Sequence, residues 1–305
     1  MRTETLRLHD DRDDVTLTTY VLDDSPELLA GAPRPAVLVL PGGAYLGCSD
    51  REGEPVALAF AALGYHAFVL RYSTYGAVPS GVDPATVVEP KDHCRHPGPL
   101  RDVALAVLRI KERAAGWHLD PDRLALCGFS AGGHNAAMYG THWHRPLLTE
   151  ALGVDAAALR PAALVLGYAL TDYVRLEEWV EPADEGVRQV MRAAHVALLG
   201  TATPDAATEL ALSPARHVGP STPPSFLWHT AADALVPARH SLAFAAALAD
   251  AGVPFELHVH ERGGHGLALA TAATAGSATQ VDDVAAGWFG ACARWLEQRL
   301  ALPVP

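Results

Sequence analysis

The chain has 305 residues, half of them hydrophobic and 19% charged, with a formal net charge of −12. That supplies one large core in a domain of roughly 250–300 residues, or two small ones. It also argues against duplex binding, which needs basic patches to neutralise phosphates. Lys91 and Lys111 are the only lysines, and the start "MRTETLRLHDDRDD" is too polar for a leader peptide. No apolar run is long enough to span a bilayer. Cys48, Cys94, Cys127 and Cys292 follow neither zinc spacing nor a disulfide framework, so a reduced, cytoplasmic protein is the expectation.

In chain order, two strands with polar alternation come first, "TETLRL" and "DVTLTTYVL", then the apolar run "AVLVLP". This run ends in Pro41-Gly42-Gly43-Ala44-Tyr45 and leads to a helix predicted over Glu54–Leu63. Ser49-Asp50-Arg51-Glu52 reads as a capping box for that helix, with Pro55 in its first turn. The strand "HAFVLRYS" is followed by Thr74–Pro99, rich in Pro and Gly and without period, and by a helix over Leu100–Ala115. Next come "RLALCGFS", a helix over Ala131–His142, the strand "ALVLGYA", and a second interruption over Leu170–Val218. "SFLWHTA", a helix over Ala238–Ala251, "FELHVHE" and a helix over Asp282–Leu300 complete the chain.

Polar strands followed by β–α alternation predict an α/β sandwich, its sheet mostly parallel with an antiparallel N-terminal edge. Without repeats or linkers, 1–305 reads as a single domain. The interruptions, an insertion loop at 74–99 and a lid-like segment at 170–218, follow strands on the side where such sheets bind ligands, and are expected to roof a site. Asp205 and the acidic group Glu177–Glu185 read as solvated lid surface.

The most specific signal is "LALCGFSAGGHNAAMYG", where Gly128-Phe129-Ser130-Ala131-Gly132 sits between a strand and a helix. That is the setting in which Gly-x-Ser-x-Gly projects a serine hydroxyl above a sheet, on a sharp turn with the helix N-terminus beneath it. A serine needs a base, and the base needs an orienting acid, in the chain order serine, acid, histidine. Asp233 lies just past "SFLWHTA", and His265 lies in the glycine-rich loop after "FELHVHE". Asp172, after the preceding strand, is the alternative acid. His229, His258 and His260 read as packing or edge positions, and His134 as a helix residue bonded locally. The crowded Asp92, His93, Cys94 and His96 read as a polar loop, so neither metal nor cofactor is expected.

The glycine turn after "AVLVLP" resembles a phosphate cradle but lacks the marks of one. There is no Gly-x-Gly-x-x-Gly with an acidic residue ending the next strand, and no Gly-Lys-Ser/Thr. The backbone N–H groups of Gly43 and Ala44, with that of Ala131 after the serine, suit an oxyanion hole. Tyr45 is a candidate substrate-binding residue beside them.

On "PGGAY…SDREGEPVALAF…LGYHAFVLRYS", "PLRDVALAV", "GFSAGGH", "PPSFLWHTAADALVP" and "GVPFELHVHERGGHGLAL", nearly the whole chain resembles the α/β-hydrolase esterases related to the hormone-sensitive-lipase group. It is most similar to the branch of small carbohydrate acetyl-esterase and xylan-esterase-like proteins. The resemblance implies an α/β-hydrolase fold of about eight strands, with helices on both faces and lid-like insertions. It implies a triad of Ser130, Asp233 and His265, an oxyanion hole at Gly43, Ala44 and Ala131, and no cofactor. Two departures stand out: this branch typically has a third glycine where Ala44 stands, and the 74–99 segment is longer than usual.

The expected function is therefore a serine esterase acting on short acyl esters, acetyl on a sugar or small oligosaccharide by resemblance. A small-peptide peptidase or amidase on the same triad is one alternative, and a non-catalytic small-molecule binder another. The expected partner is a small-molecule ester, with neither nucleic acid nor membrane, and the oligomeric state stays open, a homodimer included.

Overall fold

The computed structural model describes residues 1–180 and 185–303. Residues 181–184, which fall in the expected lid-like segment and its acidic group, lie outside the described residues.

Eight strands form one sheet: β1 (Thr5–Arg7), β2 (Thr16–Tyr20), β3 (Arg34–Leu40), β4 (His66–Arg71), β5 (Leu119–Phe129), β6 (Ala163–Gly167), β7 (Ser225–Thr230) and β8 (Phe255–His260). Their spatial order is β1-β2-β4-β3-β5-β6-β7-β8. β1, β2 and β4 pair antiparallel, and every pairing from β4 to β8 is parallel. The polar alternation of the first two strands marked the antiparallel edge, and the apolar runs marked the strands covered on both faces.

Period-two alternation sorts the strand residues into two cores. Leu38, Leu40, Leu126 and Leu166 face one side, against α2 (Gly98–Glu112) and α3 (Ser130–His142). Val37, Val39, Cys127 and Trp228 face the other, against α1 (Glu54–Ala62) and α5 (Asp283–Leu300). Each of the five helices predicted with bounds starts and stops within a few residues of them. The capping-box expectation is corrected. Ser49 makes no side-chain cap bond, Asp50–Glu52 forms a separate 3-10 turn, and Gly53 is the N-cap of α1, with Pro55 in its first turn.

The two interruptions pack on each other. The insertion's His96 N–H donates to the Leu198 carbonyl, 2.8 Å away, at the end of α4 (Glu185–Leu199). The Cys94 thiol lies 3.5 Å from the Ala197 carbonyl. Between them runs a cleft of about 960 Å³ lined by Pro84, Val87, Val88, Leu176, Met191 and His195. All four cysteines are free and buried. Among the described residues no helix is long and apolar enough to cross a membrane.

Candidate active site

Four loops beyond the carboxyl ends of β3, β5, β7 and β8 meet at one place. β5 ends at Phe129, and Ser130 opens α3 with φ +52°, the left-handed region that a Cβ disfavours. The flanking glycines are required by close approach. A Cβ on Gly132 would lie 2.1 Å from the Leu40 carbonyl oxygen and 2.4 Å from that of Pro41, and one on Gly128 would lie 2.3 Å from the Gly132 carbonyl oxygen. Their absence lets the first turn of α3 run hard against the end of β3.

The structure brings Ser130, His265 and Asp233 into one hydrogen-bonded line. Ser130 Oγ is 2.7 Å from His265 Nε2, and His265 Nδ1 is 2.7 Å from Asp233 Oδ2. The other carboxylate oxygen of Asp233 accepts the Leu235 and Val236 N–H groups at 3.0 and 2.9 Å. Burial works against this charge, but the His265 and His229 imidazoles and the bonds they donate hold the carboxyl well below the usual carboxylate range. Asp172 is not the partner of His265: its buried carboxylate pairs with Arg216 through Oδ2, at 2.8 and 2.9 Å.

Gly43, Ala44 and Tyr45 take φ values of +133°, +55° and +58°. A Cβ on Gly42 would lie 2.8 Å from Ser130 Cβ, so the turn lies directly against the serine. The N–H groups of Gly43 and Ala44 bond to no other described residue, and Ala131 lies in the first turn of α3, whose N–H groups lack intrahelical partners. The turn after β3 and the start of α3 thus carry backbone N–H groups without partners among the described residues. Tyr45, expected to line the pocket, is instead 2% exposed. Its hydroxyl donates to His134 Nδ1 at 2.6 Å, while His134 Nε2–H donates to the Leu212 carbonyl at 2.9 Å. His134 thus bonds to distant segments rather than locally, and Tyr45 anchors the turn to α3 and to the segment below α4.

Three contributors were not visible in the sequence. His229, fully buried on β7, has Nε2 3.4 Å from Asp233 Oδ2 and 2.7 Å from the Val236 carbonyl, beneath the acid. Glu52 turns inward and joins Gly42 to Tyr168, the residue after β6. Tyr168 in turn packs edge-on to the His265 ring, with centroids 5.0 Å apart. No sequence signal marks these residues: Glu52 and Tyr168 act across long chain separations, and the fold of the loop after β7, which sets His229 under Asp233, is not reported by periodicity. Asp92 pairs with Arg95, and among the described residues no cluster of three His, Cys, Asp or Glu side chains could hold a metal ion.

The strain at Ala44 is testable. Ala44→Gly removes a left-handed Cβ but loosens the unfolded chain, two effects of about 1 kcal/mol and opposite sign. Its stability and turnover are expected to stay close to those of the parent. Ala44→Val puts a β-branched residue at φ +55°, and is expected to lose about 1–3 kcal/mol in thermal unfolding. Equal stability of the valine and glycine variants would contradict the backbone geometry.

A mostly parallel sheet with a strained serine elbow, a hydrogen-bonded histidine and acid from later loops, and unbonded amides in the turn after the neighbouring strand defines a hydrolase of the α/β-hydrolase fold. The BD-FAE family model matches residues 88–248, more than half of the chain, and the protein belongs to that family. Endo-1,4-beta-xylanase B of Butyrivibrio fibrisolvens is 31% identical over 257 residues, covering 84% of this chain and 34% of that protein. The chain thus spans about a third of that relative's length. Among solved structures, the acetyl ester-xyloside bifunctional hydrolase of Caldicellulosiruptor lactoaceticus is 30% identical, with a TM-score of 0.75 over 99% of this chain and 98% of that one. Carboxylesterase Cest-2923 of Lactobacillus plantarum WCFS1 is 29% identical, with a TM-score of 0.79 over the whole of both chains.

Proposed function

We propose that the protein is a serine carboxylic-ester hydrolase acting on short acyl esters, acetyl esters of sugars or small oligosaccharides above all. The observation that carries this reading is the 2.7 Å contact of Ser130 Oγ with a histidine whose other nitrogen bonds, also at 2.7 Å, to a buried aspartate.

In the proposed reaction Ser130 Oγ attacks the ester carbonyl while His265 Nε2 takes the hydroxyl proton. Asp233 keeps the His265 Nδ1–H pointed at itself and stabilises the imidazolium. The carbonyl oxygen becomes an oxyanion held by the N–H groups of Gly43, Ala44 and Ala131. Collapse breaks the bond to the leaving alcohol, which receives the proton from His265, and leaves an acyl group on Ser130. A water molecule, deprotonated by His265, then attacks that acyl carbon and releases the acid and the free serine.

The acetyl and sugar preference draws on the printed activities of the similar proteins, a xylanase and an acetyl ester-xyloside hydrolase. Four free, buried thiols agree with a reducing, cytoplasmic setting. A fluorophosphonate is expected to label Ser130 and to abolish turnover. Across p-nitrophenyl acetate, butyrate and octanoate, an acetylated xylo-oligosaccharide and p-nitroacetanilide, kcat/KM is expected to be highest for acetyl esters and negligible for the anilide. Faster anilide than ester cleavage would favour an amidase, and absence of both labelling and turnover would point to a binder.

A further inference from the structure

We propose that Glu52 is a positioning residue that fixes the oxyanion turn relative to the His265 loop; this rests on the esterase reading above. Glu52 is 3% exposed and touches neither Ser130 nor His265 by hydrogen bond. One carboxylate oxygen accepts the Gly42 N–H at 2.7 Å, and the other accepts the Tyr168 hydroxyl at 2.6 Å. That hydroxyl oxygen accepts the Ala268 N–H at 2.9 Å, three residues after His265. The next links are the Ala268 carbonyl, which accepts Trp288 Nε1–H at 2.9 Å, and the Trp288 ring, stacked on Trp228.

The strut therefore runs from Gly42, against the nucleophile's Cβ, through one carboxylate and one phenol to the loop bearing the base. Its neighbour acts in parallel: Arg51 donates Nε–H to the Thr274 carbonyl and Nη2–H to the Gly266 carbonyl, at 2.6 and 2.7 Å. Both ties to the histidine loop leave from one 3-10 turn, Asp50–Glu52. Buried acceptors matched to donors at both ends hold a loop in one place, and oxyanion donors work only when so fixed.

Glutamine has the same volume but can accept at only one end. If its carbonyl faces Tyr168, its NH₂ meets the Gly42 N–H and pushes the oxyanion turn away. If it faces Gly42, the phenol proton is left without an acceptor. The experiment compares wild type, Glu52→Gln, Tyr168→Phe and the double variant in full-length protein. It measures kcat and KM on p-nitrophenyl acetate, the rate of Ser130 phosphonylation by a fluorophosphonate, and thermal unfolding.

Glu52→Gln is expected to lower kcat and phosphonylation about 10²-fold with KM within about threefold, because transition-state rather than ground-state contacts are disturbed. Tyr168→Phe is expected to lose about tenfold, and the double variant no more than Glu52→Gln alone, since both cut one strut. If Glu52→Gln does not fold, the Tyr168→Phe loss alone decides. Folded variants with kcat and phosphonylation within twofold of wild type overturn the proposal, as do independent, multiplying losses in the double variant. Wild type that neither turns over esters nor is phosphonylated overturns the esterase reading as well, so the two failures are distinguishable.

Discussion

Ser130→Ala is expected to lower kcat for a short acyl ester about 10⁶-fold, and Asp233→Asn about 10⁴-fold, with both proteins folded. The serine change removes the nucleophile outright. The aspartate change works through tautomers, and its direction follows from the contacts of the carboxylate. Oδ1 accepts two backbone N–H groups, so an asparagine must leave its carbonyl oxygen there and turn its NH₂ toward His265 Nδ1. An NH₂ facing Nδ1 makes that nitrogen an acceptor, which moves the ring proton to Nε2, facing Ser130. A protonated Nε2 cannot take the serine proton. The same NH₂ lies beside His229 Nε2–H, which is shared between the Val236 carbonyl at 2.7 Å and the Asp233 oxygen at 3.4 Å and cannot accept from it. The check is kcat on p-nitrophenyl acetate with circular dichroism as the folding control. An asparagine variant within tenfold of wild type would show that the acid lies elsewhere.

Acidification is expected to unfold the protein well before its carboxylates are neutralised. Burial holds His66, His96 and His134 down at about 4, and His142 and His240 at about 3, against an ordinary value of 6.5. Two of these rings also use Nδ1 as acceptor for backbone N–H groups, His66 from Leu22 and His240 from Thr171 and Asp172, and protonation there forfeits those bonds. Well above pH 6.5 the native and unfolded chains carry these histidines neutral alike, and they contribute nothing to the pH dependence. Between 6.5 and about 4 the unfolded chain binds protons that the native protein refuses, so stability falls as pH falls.

Each such group takes away roughly 1.4 kcal/mol per pH unit in that window. Several acting together exhaust a typical margin of about 5–15 kcal/mol within one to a few units. His9, raised by its hydrogen bond to Asp102, runs in the opposite direction but is more exposed. Asp233, with its lowered value, adds a further loss only below the ordinary aspartate value of 3.8. Urea unfolding at pH 8, 7, 6 and 5 is expected to give a flat plateau down to about 7 and a steep decline beneath it. Equal stability at pH 5 and pH 7 would contradict the buried, neutral histidines.

The strands were legible because their alternation is a local property, and the two faces of β3 or β5 can be read from residues two apart. The serine elbow was legible for a related reason: glycines, strand and helix all lie within one short stretch. Asp233 and His265 followed from chain order once Ser130 was chosen. Glu52 was misread because a short polar turn before a helix looks the same whether its carboxylate caps the helix or crosses to Gly42 and Tyr168. Tyr45 was misread because its place is decided by His134, eighty-nine positions away. Alternation put His229 on one face of β7, but it carried no sign that the loop after the strand would fold Asp233 back over the ring.

The contact between Gly132 and the end of β3 limits what redesign can reach. A single methyl at position 132 would meet the carbonyl oxygens of Leu40 and Pro41 at 2.1 and 2.4 Å, wedging apart the serine elbow and the glycine turn after β3. Neither neighbour yields easily, because both are backbone carbonyls at the end of a central strand. The floor of the pocket therefore offers an engineer almost no latitude. Segment 74–99 and the helix Glu185–Leu199 are tied to each other by the His96–Leu198 bond, so a change in one bears on the other. Segments held this way are best exchanged together, with the elbow left untouched.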